Sequence, residues 1–180
     1  MAAGPEKLDG IQVLFSAEQI SARVAEMGRQ ISADYADQCP VLVGVLKGAF
    51  IMLSDLSRAV TVGHEVDFLR AASYGGGLAS SGHVQIVHDL RADISGRHLI
   101  LVEGVVDSGL TLSYLIEQLR RRGPASIRVA TLLDKAPCRK IEVKLDYVGF
   151  KIADEFVIGY GMDVAEKLRN LPFVGVYSGS

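Results

Sequence analysis

The nine residues Glu103-Gly-Val-Val-Asp-Ser-Gly-Leu-Thr111 place two carboxylates, two hydroxyls and two glycines between an apolar run, Leu99 to Val102, and a helical stripe at Leu112, Leu115, Ile116 and Leu119. If the backbone stays extended through Val105, the two-residue side-chain period of a strand puts Glu103 and Asp107 on one side of a sheet edge. From Ser108 the chain turns through Gly109 into a helix N-terminus, where unpaired backbone N–H groups and the positive end of the helix dipole suit a phosphate. The segment thus offers an anion cradle beside acids able to hold a hydroxyl, a metal ion or a proton. A plainer arrangement stays open on spacing alone, with Asp107 and Ser108 capping the helix and Glu103 solvated at a strand end. Neither GxxxxGK[ST] nor, after a strand, GxGxxG occurs, so this is not a Walker A loop or a dinucleotide fingerprint.

The elements that must position these residues alternate between strand and helix. Ser16 followed by Gln19 fits a capping box, and Ile20, Val24, Met27 and Ile31 recur at helical spacing, which predicts an amphipathic helix ending near Asp37. Val41 to Leu46 reads as a buried strand, turned by Lys47-Gly48 into a second helix carrying Phe50, Leu53 and Leu56. Glu65 to Leu69 alternates like a strand, and the glycine- and serine-rich run from Tyr74 to Gly82 is a candidate mobile loop before a strand at Val84 to Val87. Leu99 to Val102, the helical stripe, the Gly123-Pro124 stop and Ile127 to Leu133 make a strand–helix–strand unit, which implies a parallel sheet. Tyr147 to Ile152, Phe156 to Tyr160 and Phe173 to Tyr177 complete the chain. No linker, repeat or charge block divides residues 1–180, so one α/β domain is expected, with ligands beyond the carboxyl ends of its strands.

Composition narrows the function classes. Lys plus Arg number 19 against 21 Asp plus Glu, a net charge of -2, which gives no global field for nucleic acid or an anionic membrane. The two cysteines, Cys39 and Cys138, are far apart and have no zinc-like spacing, so neither a disulfide framework nor a structural zinc organises the fold. The longest apolar run, Val41 to Leu46, falls far short of the roughly 20 residues of a membrane helix. A reduced, cytoplasmic protein is expected.

Four stretches in register carry a family resemblance. Val-Glu-x-Val-Val-Asp-Ser-Gly-Leu-Thr after a hydrophobic strand resembles the phosphoribosyl-pyrophosphate signature of type I phosphoribosyltransferases. Gly44-Val-Leu-Lys-Gly-Ala49, Ser73-Tyr-Gly-Gly-Gly77 with Ser80-Ser-Gly82, and Leu132-Leu-Asp-Lys135 followed by Asp146 to Phe150 and Glu155 to Asp163 resemble the hypoxanthine (guanine) members, over about Val13 to Val176. The resemblance implies an α/β fold with a mostly parallel twisted sheet flanked by helices, a small hood, and a flexible lid at about 74–83 hinged at Ser73 and Tyr74. It implies transfer of the phosphoribosyl group from phosphoribosyl pyrophosphate to N9 of hypoxanthine or guanine, giving IMP or GMP and pyrophosphate in purine salvage, with Mg2+.

The same resemblance implies residue roles. Glu103, Gly104, Asp107, Ser108, Gly109, Leu110 and Thr111 would hold the ribose and its 5′-phosphate, Asp107 also taking a proton from purine N7. Leu46, Lys47 and Gly48, with a cis peptide before the lysine, and Arg169 would face pyrophosphate. Lys135 would donate to the 6-oxo group, Phe156 would stack on the base, and Val157 would read its edge. Asp163 is implied beside the purine and, with Glu103, as a metal ligand. A homodimer or homotetramer is expected, with no nucleic-acid or membrane partner; the cluster Arg120-Arg-Arg122 more simply ends a helix, where the dipole favours cations.

One position departs from the pattern. The family places two adjacent acids after the strand, and here the second is Gly104. Its absence predicts weakened binding of phosphoribosyl pyrophosphate with chemistry retained, and it keeps open a binding protein that has lost useful turnover. A third class, RNA-binding regulators built on this fold, is disfavoured by the near-neutral charge.

Overall fold

The computed structural model describes residues 10–73 and 84–178. Strand β1 (Ile11–Phe15) leads into helix α1 (Ala17–Asp34), whose start is the expected capping box: Gln19 N donates to the Ser16 hydroxyl at 3.3 Å and Ser16 N to Gln19 Oε1 at 2.9 Å. Ile20, Val24, Met27 and Ile31 are buried as their spacing requires. The helix ends at Asp34, a turn before Asp37, because tertiary partners take over there. The Asp34 carboxylate accepts from Arg128 and, at 2.7 Å, from the Tyr147 hydroxyl, while the Tyr35 ring is buried 5.2 Å beneath the Arg128 guanidinium.

Strand β2 (Val41–Leu46) and helix α2 (Phe50–Ala59) follow. In α2 the buried residues are Met52, Leu53 and Leu56, and Phe50, which the helix carries as expected, is 42% exposed. With Met52 also buried, the buried face centres on the side of Leu56, roughly 110° around the helix from Phe50. Next come β3 (Glu65–Ser73), β4 (Val84–His88), β5 (His98–Val106), α3 (Leu110–Arg120), β6 (Ser126–Asp134), β7 (Tyr147–Lys151), β8 (Val157–Ile158) and β9 (Val174–Tyr177). The expected lid with Tyr74 lies outside the described residues, and Ser73 closes β3.

The main sheet runs β4-β3-β2-β5-β6-β7, parallel throughout except for the edge pair β3–β4. Its two faces explain the unbroken apolar runs of the central strands, since side chains are buried in both directions. One core joins Ile20, Met27, Ile31, Leu53 and Leu56 of α1 and α2 to Leu42, Ile100 and Val102. The other joins Leu112, Leu115 and Leu119 of α3 to Val43, Leu99, Leu101 and Val129. A second, antiparallel sheet, β1-β9-β8, matches the expected hood. Its first strand was not anticipated, because β1 is recruited by β9 from the far end of the chain, Ile11 pairing with Tyr177, and carries no turn signal of its own. Leu46, Val106 and Asp134 end β2, β5 and β6 on one edge of the main sheet, where the α/β rule puts ligands.

Candidate active site

Strand β5 delivers the acids, though not by simple alternation. Leu99 and Leu101 pack on the α3 side and Ile100 and Val102 on the α1–α2 side, but beyond Gly104 the phase inverts, with Val105 joining the α1–α2 core and Val106 the α3 core. A strict two-residue period therefore does not link Glu103 to Asp107. Both nevertheless line one cleft of about 230 Å³, with Leu46, Gly48, Val105, Ser108, Gly109, Thr111 and Leu112, because the strand end and the loop after it curve around the space. Burial pushes the Glu103 carboxyl up to about 8, opposed only by a hydrogen bond from the Gly104 backbone. Its ionised form thus favours a bound cation or hydrogen-bond donors.

The residue preceding α3 is Gly109, held at φ 80, a left-handed conformation that costs glycine little. No side chain caps the helix among the described residues; Leu110 N reaches the Ser108 hydroxyl only at 3.4 Å, and Ser113 N makes an early intrahelical bond, to Gly109 O at 2.9 Å. Asp107 is 56% exposed beside the cleft, so the capping arrangement left open by spacing is not the one adopted. The N–H groups of the first turn remain available to an anion.

The Leu46–Lys47 peptide is cis. The turn it opens packs closely on two glycines: a Cβ on Gly104 would lie 2.9 Å from the Gly48 carbonyl oxygen, and one on Gly161 would meet the same oxygen. Lys47 donates to Glu166 at 2.7 Å, and Arg169 contacts Asp163 at 2.8 Å, Glu166 at 3.2 Å and the Gly161 carbonyl at 2.8 Å. These two cations hold the Glu166 carboxyl below its ordinary range. Arg169 is no surface arginine, its side chain being 17% exposed. Glu166 was not singled out by the sequence, since it sits within a turn, with Ala165 and Glu166 at φ 50 and 65, and gains its role only through folding.

Lys135 sits where β6 ends, its side chain 8% exposed and its ammonium 3.7 Å from Asp107 and 3.9 Å from Asp154. Cys138 joins these two acids, and the Asp154 carboxylate, followed by burial and Asp107, pushes its thiol up to about 11. Phe156 is 54% exposed rather than core, with the Tyr177 ring 6.3 Å away, and Val157 is buried in β8 against Val176. The described residues thus place Leu46, Gly48, Glu103, Asp107 to Gly109 and Thr111 in one cleft, Lys135 against Asp107, and Lys47, Asp163 and Arg169 around Glu166. Leu110 begins α3, while Phe156 and Val157 lie at the small sheet.

Glu103 offers the hard oxygen donor that magnesium prefers, in a cleft able to admit it. Asp163 is committed elsewhere, one oxygen to Arg169 and the other accepting from Glu166 N at 2.8 Å, so it fits a cation only by exchanging those bonds. The cluster Asp107, Cys138 and Asp154 suits magnesium poorly, because it includes a thiol and faces the Lys135 ammonium.

Comparison with known proteins accounts for this arrangement. The phosphoribosyl transferase domain family matches residues 13–165. The chain is 46% identical over 170 residues to the hypoxanthine-guanine phosphoribosyltransferase of Bacillus subtilis, covering 94% of both, and 46% identical over 167 residues to the hypoxanthine phosphoribosyltransferase of Escherichia coli, covering 92% of this chain and 94% of that one. A crystal structure of a hypoxanthine phosphoribosyltransferase from Staphylococcus aureus superposes with a TM-score of 0.89 at 40% identity, over 92% of this chain and 90% of the other. The chain therefore belongs to the phosphoribosyltransferase family, has its type I fold, and falls among the hypoxanthine-guanine phosphoribosyltransferases.

Proposed function

We propose that the protein transfers the 5-phosphoribosyl group from phosphoribosyl pyrophosphate to N9 of hypoxanthine or guanine, releasing pyrophosphate, as a step of purine salvage. The observation that carries this reading is the uncapped start of α3 beside Glu103 and Asp107, with the nearly buried Lys135 side chain placing its ammonium 3.7 Å from Asp107. In the reaction the C1′–N9 bond forms as the bond from C1′ to the pyrophosphate oxygen breaks. The N–H groups of residues 108–111 hold the 5′-phosphate, Lys135 donates to the 6-oxo group, and Asp107 accepts the proton that N7 loses. An ammonium matches a carbonyl oxygen and is mismatched to an amino group, which favours 6-oxopurines over adenine. Phe156 supplies an exposed ring face for the base and the Val157 backbone its edge contacts.

Lys47 and Arg169 receive the leaving pyrophosphate, which displaces the Glu166 carboxylate from them. Glu103 would hold magnesium, which when bound would supply charge that neutralises the pyrophosphate. No helix is long and apolar enough to cross a membrane among the described residues. A dimer or tetramer belongs to the same reading, supported by the exposed apolar side chains Val66, Phe68 and Val87. In the cluster Arg120 to Arg122, Arg121 pairs with Glu117 and Arg122 with Asp89.

Incubation with hypoxanthine, phosphoribosyl pyrophosphate and magnesium is expected to yield inosine monophosphate. No product above a heat-inactivated control would instead favour a nucleotide-binding protein without turnover. Guanine and xanthine in the same assay resolve base choice.

Gly104 now has two separable effects. The missing acid weakens the hold on substrate, but the missing Cβ lets the Gly48 turn sit close. Gly104→Ala is expected to displace that turn and raise KM for phosphoribosyl pyrophosphate about fivefold, equivalent to roughly 1 kcal/mol of overpacking. Gly104→Asp should fall below the alanine variant, because its carboxylate returns a ribose or metal contact. Steady-state kinetics on both variants decide: an alanine variant equal to wild type removes the packing effect, and equal KM in the two variants removes the carboxylate effect.

A further inference from the structure

The segment after Lys135 is fastened to the loop between β5 and α3 at several points. Lys135 N donates to Val106 O at 3.0 Å, and Lys140 N and Ile141 N both donate to Ser108 O, at 2.9 and 3.1 Å. Arg139 lies between these anchors. Its Cδ is 3.1 Å from the position a Cβ on Gly109 would take, so the arginine stem backs the left-handed glycine on the side its backbone leaves open. The guanidinium pairs with Asp134, the last residue of β6, and the two side chains are only 9% and 10% exposed.

This pair is not explained by its own contribution to folding. Buried ion pairs recover little beyond their desolvation, and two Arg139 groups, Nε and Nη1, are buried without a hydrogen-bond partner among the described residues. What the arrangement achieves is mechanical. A planar group fixed at the end of β6 cannot swing, so its stem stays packed behind Gly109. The three backbone bonds transmit the same restraint to Lys135.

We propose that Arg139, anchored by Asp134, is a positioning residue for the phosphate cradle, setting the backbone of Ser108 and Gly109 from behind and tying it to the lysine-bearing segment. It touches no substrate and acts through Gly109. The proposal rests on the reading of residues 107–111 as the 5′-phosphate site.

The test compares the intact protein with Arg139→Met, Arg139→Lys and the double variant Asp134→Leu/Arg139→Met. The single methionine variant strands a buried carboxylate and can fail to fold; the double variant removes both charges and keeps the volume. Calorimetric binding of magnesium phosphoribosyl pyrophosphate to the wild type comes first, and its absence would refute the cradle reading itself. Given that binding, the double variant is expected to show KM for phosphoribosyl pyrophosphate raised about tenfold, as misplacement of a positioned group does, with KM for hypoxanthine and Tm near wild type. Arg139→Lys, which keeps charge and stem, should lie between the two. A double variant with wild-type KM for phosphoribosyl pyrophosphate, or one whose kinetic losses merely follow a fall in Tm, overturns the proposal.

Discussion

Asp107→Asn is expected to lower kcat by about 10²- to 10⁴-fold, the range a positioned general base contributes, while KM for phosphoribosyl pyrophosphate changes far less. The substitution keeps the size of the side chain and removes its capacity to accept the N7 proton. The surrounding backbone should hold its place, because Ser108 O is bonded by Lys140 N and Ile141 N, and the turn before α3 is set by Gly109 rather than by a side-chain cap. Folding should also be largely spared, since Asp107 is 56% exposed and its partner, the nearly buried Lys135, keeps a second carboxylate, Asp154, 3.9 Å from its ammonium. Pre-steady-state or steady-state rates alongside inosine monophosphate binding check the split. Equal losses in rate and in nucleotide affinity would mean that Asp107 serves the loop's shape and that the proton goes elsewhere.

Lys135→Met should reduce kcat/KM for hypoxanthine about 100-fold, the upper part of what a hydrogen bond to a charged group contributes, and should bring adenine closer to parity with it. The lysine side chain is only 8% exposed, so its bond to a 6-oxo group would meet little competing water. Removal of a buried cation is often severely destabilising, but not where its partners are solvated. Asp107 and Asp154 are 56% and 77% exposed, so neither becomes a stranded charge, and a Met fills nearly the same volume. Tm is expected to stay near wild type. Competition between hypoxanthine and adenine, measured with both enzymes, is the readout; an unchanged preference would remove Lys135 from base selection.

Much of the fold was legible because the relevant signals are local. The Ser16–Gln19 capping box, the Ile20 to Ile31 spacing and the Leu112, Leu115, Leu119 stripe each survive into the structure as read. The strand–helix–strand order predicted the parallel pairing of β5 with β6. Misreadings occurred where distant residues decide. Asp34 and Tyr35 end α1 early because Arg128 and Tyr147 hold them, and β1 exists because β9 supplies its partner.

The site divides along the same line. The chemistry of residues 103–111 follows from their types and their position between a strand and a helix, and the family motifs name Lys47, Lys135, Asp163 and Arg169. Sequence could not show that Glu166 would sit on both Lys47 and Arg169, that Arg139 would back Gly109, or that the Gly48 carbonyl would occupy the space beside Gly104. Nor could it show that the face of β5 inverts between Glu103 and Asp107. Residue type and short-range spacing set what each segment can form and what each group can donate or accept. Which groups meet, and how much water is left between them, is fixed only when the sheet brings the ends of β2, β5 and β6 to one edge and burial sets the field they share.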